Sequence, residues 1–156
     1  MAAQLWLLRH GEAEPHDARE DAQRRLTERG EGQAGAAGSA LAALDISFAF
    51  VFTSAKVRAL DTARLACAAL GNAPVEERSL AEGLALDDAL RLAAAAGDDG
   101  RVLLVGHNPD FEQVVGDLTG ARIELKKGGV AGIRLRGRSR GELLALLRPR
   151  ELDRLG

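Results

Sequence analysis

Short apolar runs alternate with longer segments of helical periodicity along this chain, and that alternation restricts its fold more than any other feature. Residues 4–9, 48–53 and 101–106 are predicted to be strands, and the apolar run 48–53 is typical of a buried parallel strand. Strands that alternate with helices favour a mostly parallel sheet covered by helices on both faces. We therefore expect an α/β fold built as a three-layer sandwich.

Helical segments lie between those strands, and the last part of the chain is expected to form a hairpin. The helices are predicted over residues 32–44, from a cap at Ser54 to about residue 70, over residues 84–96, and from Asn108-Pro109 onwards as cap and first-turn proline. A short strand is expected near residues 74–77, and the polar segment 11–25 is expected to be a loop over the sheet edge. Two alternating runs, 129–136 and 142–147, predict a hairpin on the far edge of the sheet.

Length and charge suit a single domain over residues 1–156, because 156 residues with 46% hydrophobic content can bury one core. The net charge of −2 gives no reason to expect nucleic acid or an anionic membrane as a partner. No apolar run approaches the ~20 residues of a membrane span and no basic leader is seen, so we expect a cytoplasmic protein. The one cysteine, Cys67, cannot form an internal disulfide and is expected to be a core residue of its helix.

Polar side chains follow three of the predicted strands, at the point where each strand ends. They are Arg9-His10-Gly11, Ser54 with Arg58, and Gly106-His107. In open α/β sheets, ligands bind at the edge formed by the carboxyl ends of the strands. A helix start favours an anion, and a guanidinium binds two phosphate oxygens at once. These residues together predict a phosphate pocket with a neutral imidazole as nucleophile, although Arg-His-Gly alone also suits a strand-end turn with a solvated histidine.

Four segments resemble, in the correct order, the signatures of the histidine phosphatase (phosphoglycerate-mutase-like) superfamily. They are Leu8-Arg9-His10-Gly11-Glu12-Ala13, Leu26-Thr27-Glu28-Arg29-Gly30, residues 54–63, and Val105-Gly106-His107-Asn108-Pro109. The short length and the ending Lys126-Lys127-Gly128-Gly129 are similar to the small bacterial phosphohistidine phosphatases in particular. The resemblance implies that His10 is the nucleophile and that Arg9, Arg58 and His107 bind phosphate oxygens.

Two further site residues follow from the resemblance with alternatives left open. Arg24 aligns with a phosphate-contacting arginine, but Arg25 stands where the small phosphatases have proline, so Arg25 could substitute or both could be solvated charges. Glu82 is the candidate for the general acid of the family, and it could instead cap the helix that follows it.

These observations predict a phosphatase that transfers the phosphoryl group to His10 and then to water, with phosphohistidine on a protein as its substrate. No cluster of Cys, His, Asp or Glu at metal-ligand spacing lies near the site, so no metal or other cofactor is expected. A second hypothesis is a phosphatase of small phosphorylated metabolites, although the chain has little spare length for a lid. A third is a catalytically silent module that binds phosphorylated partners. The sequence leaves the substrate and the oligomeric state open.

Overall fold

Six strands form one sheet in the computed structural model, which describes residues 2–156. The strands are β1 (Gln4–Arg9), β2 (Phe50–Thr53), β3 (Val75–Glu76), β4 (Arg101–Gly106), β5 (Val130–Leu135) and β6 (Gly141–Leu147). Their order in the sheet is β3-β2-β4-β1-β5-β6. Strands β3, β2, β4 and β1 are parallel to one another, whereas β5 pairs antiparallel with β1 and β6 pairs antiparallel with β5. The expected mostly parallel sheet with a hairpin at its far edge is therefore confirmed.

Within residues 2–156, five α-helices cover the two faces of this sheet. They are α1 (Glu28–Ala43), α2 (Val57–Leu70), α3 (Leu86–Ala93), α4 (Asp110–Thr119) and α5 (Pro149–Leu155), with 3₁₀ turns at Asp21–Gln23, Arg78–Leu80 and Ala94–Ala96. Successive side chains of a strand point to opposite faces. Leu5 and Leu7 accordingly pack in a core with α3 and α4, while Trp6 and Leu8 pack with α1, α2 and α5. Two cores on either side of one sheet confirm the three-layer sandwich.

The helix starts differ from the predictions where the first turn is polar. α1 begins at Glu28, four residues before the predicted start, because the Thr27 hydroxyl accepts a hydrogen bond from the Gly30 N–H at 3.0 Å and caps it. The helix predicted over residues 84–96 is α3 followed by a 3₁₀ turn, and α4 begins after Pro109 rather than with it. Apolar periodicity marks the buried part of a helix and carries no information about a polar first turn.

Helix α5 was not predicted, and strand β2 is shorter and less buried than predicted. α5 starts with Pro149 in its first turn, and its Leu152 is fully buried in the core beside α1. β2 begins at Phe50 instead of residue 48, and Phe50 is 40% exposed.

Cys67 lies in the core as expected, and its burial raises the pKa of the thiol to about 11. No helix within residues 2–156 is long and apolar enough to cross a membrane.

The sheet brings the carboxyl ends of β1, β2 and β4 side by side. The backbone N–H of His10 donates to the Gly106 carbonyl at 3.0 Å, and that of Ser54 donates to the Val105 carbonyl at 3.0 Å. Gly11 follows directly against α1, where a Cβ atom would lie 2.5 Å from the Gly30 carbonyl oxygen. Only glycine fits there without moving the backbone that carries His10.

Candidate active site

A pocket of about 440 Å³ lies at this edge of the sheet. All six site residues predicted from the sequence line it: Arg9, His10, Arg24, Arg58, Glu82 and His107. Further residues that line the pocket and were not predicted include His16, Asp21, Lys56, Asp110 and Lys127. The structure thus brings together side chains that are up to about a hundred positions apart in the chain.

His10 is buried, and one of its ring nitrogens is held by the backbone. Nδ1 lies 2.7 Å from the Gly11 carbonyl oxygen, which can only accept, so the proton of the neutral ring sits on Nδ1 and Nε2 keeps its lone pair. Burial lowers the pKa of His10 to about 4, and the charges of Arg58, Arg9 and Lys127 lower it as well, against the opposite effect of the Gly11 hydrogen bond. At neutral pH, His10 is therefore an uncharged imidazole with a free Nε2.

His107 lies beside His10, with ring centres 5.2 Å apart and planes tilted by 55°. Its Nε2 is 2.9 Å from the Ser54 hydroxyl, which also accepts a hydrogen bond from the Lys56 N–H. Burial lowers the pKa of His107 to about 3, with further lowering by His10, Arg58 and Lys56. When the Ser54 hydroxyl donates to Nε2, the proton of the neutral ring resides on Nδ1.

Arg24 and Arg58 are buried against one carboxylate, that of Asp21. Arg58 donates to the Asp21 carbonyl at 2.6 Å and to its carboxylate at 3.2 Å, and Arg24 donates to the same carboxylate at 3.1 Å. Lys56 is a third cation on that carboxylate, at 3.0 Å. The hydrogen bond from Lys56, followed by those from Arg24 and Arg58, holds the pKa of Asp21 well below its usual range. Asp21 is one of five acidic residues in the segment 11–25, and nothing in the sequence indicates that this one contacts the three cations.

Arg24 and Arg25 differ in their position relative to the pocket. Arg24 is 6% exposed, lines the pocket and donates to the Glu14 carbonyl at 2.7 Å. Arg25 is exposed, is not among the residues that line the pocket, and its backbone N–H pairs with Glu14. Arg24, and not Arg25, is therefore the arginine that lies at the pocket.

The segment around Lys127 is fastened to the end of β1. Arg9 donates to the Leu125 carbonyl at 2.9 Å, and the Gly128 N–H lies 3.0 Å and 2.9 Å from the carbonyls of Arg9 and His10. Gly128 has a φ of +77°, a conformation that favours glycine. This anchoring puts Lys127 on the pocket wall, and among residues 2–156 no acidic side chain forms an ion pair with it.

Three buried nitrogen atoms around the pocket have no hydrogen-bond partner in the described part of the chain. They are Nε of Arg9, Nε of Arg58 and Nδ1 of His107. Buried polar groups without a partner are uncommon in native proteins. All three belong to residues that line the pocket, so the wall of the site holds more hydrogen-bonding capacity than the described contacts use.

Glu82 is exposed at the rim of the pocket, and it does not cap the following helix. α3 begins at Leu86, and the N–H groups ahead of it are bonded to other carboxylates: that of Leu84 to Asp110 at 3.1 Å and that of Ala85 to Asp88 at 3.2 Å. The capping alternative for Glu82 is therefore wrong, and Glu82 is an exposed residue among those that line the pocket.

A family model for the histidine phosphatase superfamily (branch 1) matches residues 5–85, a segment that includes His10 and Arg58. The chain belongs to this superfamily. It is 33% identical over 162 residues to a protein of Picosynechococcus sp. strain PCC 7002, covering 96% of this chain and 98% of that protein. The resemblance drawn from the four sequence segments is thereby confirmed at the level of the family.

Solved structures of other proteins share the fold over nearly the whole chain. The protein histidine phosphatase SixA, solved in complex with tungstate, superposes with a TM-score of 0.84 at 22% identity over 96% of this chain and 99% of that one. Phosphoserine phosphatase of Entamoeba histolytica, solved with 3-phosphoglyceric acid, superposes with a TM-score of 0.74 at 16% identity over 96% and 98%. At these identities the likeness concerns the fold.

Proposed function

We propose that this protein is a phosphatase that forms a phosphohistidine intermediate on His10 and that its substrate is phosphohistidine carried by another protein. The observation that carries the proposal is the state of His10: a neutral ring whose Nδ1 is tied to Gly11 and whose Nε2 is free, inside a pocket walled by cations. A nucleophile in this state needs no base to activate it at neutral pH.

The reaction has two steps. In the first, Nε2 of His10 bonds to phosphorus while the bond from phosphorus to the substrate nitrogen breaks, and the leaving imidazole takes a proton from solvent or from Glu82. In the second, a water oxygen attacks phosphorus, the bond to Nε2 breaks with its electron pair returning to the ring, and the proton of that water goes to solvent. Inorganic phosphate leaves, and His10 is neutral again.

The cations of the pocket stabilise the charge on the transferring group. Phosphoryl transfer relies mainly on positioning and on electrostatic stabilisation of the three equatorial oxygens. Arg9, Arg24, Arg58 and His107 are the donors assigned to those oxygens, because all four line the pocket that holds His10. The Asp21 carboxylate accepts hydrogen bonds from Arg24 and Arg58, so phosphate oxygens compete with it for these donors or share them with it.

The choice of a protein as the substrate rests on access. The pocket rim consists of exposed residues such as Asp21, Glu82 and Lys127, which leave the site open to a histidine that projects from a protein surface. The likeness to SixA, a protein histidine phosphatase, agrees with this choice. A small phosphorylated metabolite is the second candidate, because the pocket volume suffices for one and the E. histolytica relative acts on such a compound by its name.

The test compares specificity constants of the purified chain on a phosphohistidine-bearing phosphotransfer domain, on a panel of sugar phosphates, and on para-nitrophenyl phosphate. We expect turnover of para-nitrophenyl phosphate and the largest kcat/KM on the phosphorylated domain. A larger kcat/KM on one sugar phosphate overturns the substrate assignment and leaves the phosphatase assignment standing. No turnover of any of the three overturns both and favours a silent phosphate-binding module.

A further inference from the structure

A second depression adjoins the active-site pocket and is lined mainly by basic side chains. This basic groove, with a volume of about 690 Å³, is lined by Arg9, Glu12, Arg29, Gln33, Glu124, Lys126, Lys127, Arg148, Pro149 and Arg150. It shares Arg9 and Lys127 with the pocket that holds His10. The two depressions are therefore neighbours along one surface.

The groove concentrates positive charge on a chain whose net charge is −2. Six of its residues are basic and two are acidic, which gives the lining a formal charge of +4. Several of the basic groups have acidic neighbours: Arg29 lies 3.8 Å from Glu12, and Lys126 lies close to Glu124. Arg148 and Arg150 contact Glu151 at 2.9 Å and 3.7 Å. Exposed ion pairs of this kind contribute little and rearrange readily when another anion approaches.

The groove continues away from the active site. A further depression of about 380 Å³ shares Arg29, Gln33, Pro149 and Arg150 with it and extends to Asp153 on α5. A drug-sized ligand needs a site of roughly 300–1,000 Å³, and the active-site pocket alone is within that range. A small phosphorylated metabolite can therefore bind without the groove and its extension, whereas a protein whose phosphohistidine reaches His10 is large enough to lie over them.

We propose that the basic groove docks an acidic surface of the phosphorylated protein substrate beside its phosphohistidine. The inference rests on the proposed function and specifies, in addition, that the docking surface of the protein substrate is acidic. Opposite charge across such a contact speeds encounter and sets orientation. Arg29 and Arg150, whose side chains are 75% and 71% exposed, present the charge, and Lys127 joins it to the site of chemistry.

The experiment uses two 15-residue peptides that differ only around a central phosphohistidine. One carries Asp and Glu on both sides of it, and the other carries Asn and Gln at the same positions. The readouts are kcat/KM for release of inorganic phosphate from each peptide, and fluorescence anisotropy with a labelled, unphosphorylated acidic peptide, which reports docking without catalysis.

The test variant is the triple substitution Arg29→Gln, Lys126→Gln and Arg150→Gln, which leaves the shared residues Arg9 and Lys127 in place. The matched control is Arg64→Gln, Arg138→Gln and Arg140→Gln, which removes the same number of positive charges from exposed positions that line neither the pocket nor the groove. Para-nitrophenyl phosphate, which is too small to reach the groove, measures the chemistry alone.

The wild-type protein and the control are expected to prefer the acidic peptide by about ten-fold or more, a preference that falls as salt is raised. The test variant should lose this preference and the anisotropy signal while it keeps its turnover of para-nitrophenyl phosphate. Equal rates on the two peptides in the wild-type protein, or equal losses in test and control variants, overturn the docking proposal alone. Anisotropy binding without turnover of either peptide or of para-nitrophenyl phosphate overturns the proposed function but supports the groove.

Discussion

Arginine and lysine side chains line both the active-site pocket and the basic groove, but the two regions hold them differently. Arg24 and Arg58 are 6% and 5% exposed, and hydrogen bonds to Asp21 and to backbone carbonyls fix their orientation. Arg29 and Arg150 expose more than two thirds of their side chains and have only surface ion pairs. The same residue types are thus rigid in one place and solvated in the other.

The difference matters because an interaction between charges is strong where water is excluded and weak where it is not. Donors whose orientation is fixed before a ligand binds are suited to act on the charge of a transition state. Solvated cations are suited to attract a partner over a distance, and salt screens that attraction. On the two proposals made above, the buried cations therefore serve the chemistry and the exposed ones serve recruitment.

The largest expected effect is that of removing the nucleophile from the buried region. His10→Ala should lower kcat on para-nitrophenyl phosphate by at least about 10⁴-fold, because no other group in the pocket offers a free nitrogen in the same place. Rapid-quench labelling with a radioactive phosphodonor should show no acid-labile phosphoenzyme in this variant. His16→Ala, at an exposed position on the same rim, is the control and should keep both signals. Label on a peptide that contains His107 instead would contradict the assignment.

A matched pair of arginine substitutions tests the comparison directly. Arg58→Gln should cost about 10²- to 10³-fold in kcat/KM on para-nitrophenyl phosphate, the loss expected for one oriented donor to the transferring oxygens. Arg29→Gln makes the same chemical change in the groove and should change that constant by less than about two-fold. Thermal melting of both variants separates loss of catalysis from loss of folding. Comparable losses in the two variants would break the distinction between the regions.

His107→Ala is expected to have a somewhat smaller effect than the loss of Arg58. The variant should still form a phosphoenzyme on His10, but about 10²-fold more slowly, because the proposed function makes His107 a hydrogen-bond donor and not the nucleophile. Single-turnover labelling measures this rate. A His107→Ala protein that labels at the wild-type rate would remove His107 from the set of phosphate donors.

Burial of the two histidines predicts a dependence of folding stability on pH. Their pKa values are lowered to about 4 and about 3, so between roughly pH 6.5 and pH 4 the unfolded chain binds more protons than the folded one. The free energy of unfolding should therefore fall as the pH is lowered through this range, by on the order of 3 kcal/mol for His10. Urea unfolding at a series of pH values measures the slope. The double variant His10→Gln and His107→Gln should lack this dependence of the free energy of unfolding on pH. An unchanged slope in the double variant would show that other titratable groups cause the dependence.

The smallest effect is expected at the rim. Glu82→Gln should change turnover of phosphohistidine and para-nitrophenyl phosphate by only a few-fold, because both leaving groups depart without much help from an acid. With an alkyl phosphate such as glycerol phosphate the same variant should lose about ten-fold or more, since an alkoxide needs a proton. Equal losses on all three substrates would indicate that Glu82 positions the substrate and is not an acid.

The sequence by itself determined the sheet and most of the site. The bounds of β1 and β4 were predicted to the residue, because an apolar run ended by a charged or glycine residue is a local signal. The family signatures at the ends of these strands and in α2 then predicted His10, Arg58 and His107, and the parallel sheet necessarily brings such strand ends together.

The tertiary structure decided what depends on contacts between distant segments. Asp21 joins Arg58 only because the loop before α1 folds over the start of α2. The basic groove exists only because α5 brings Arg150 beside Arg29, and because Gly128 fastens Lys127 to the end of β1. Periodicity and capping act within a few residues, whereas the pairing of charges is set by the packing of whole elements, and no local pattern records which charges that packing will bring into contact.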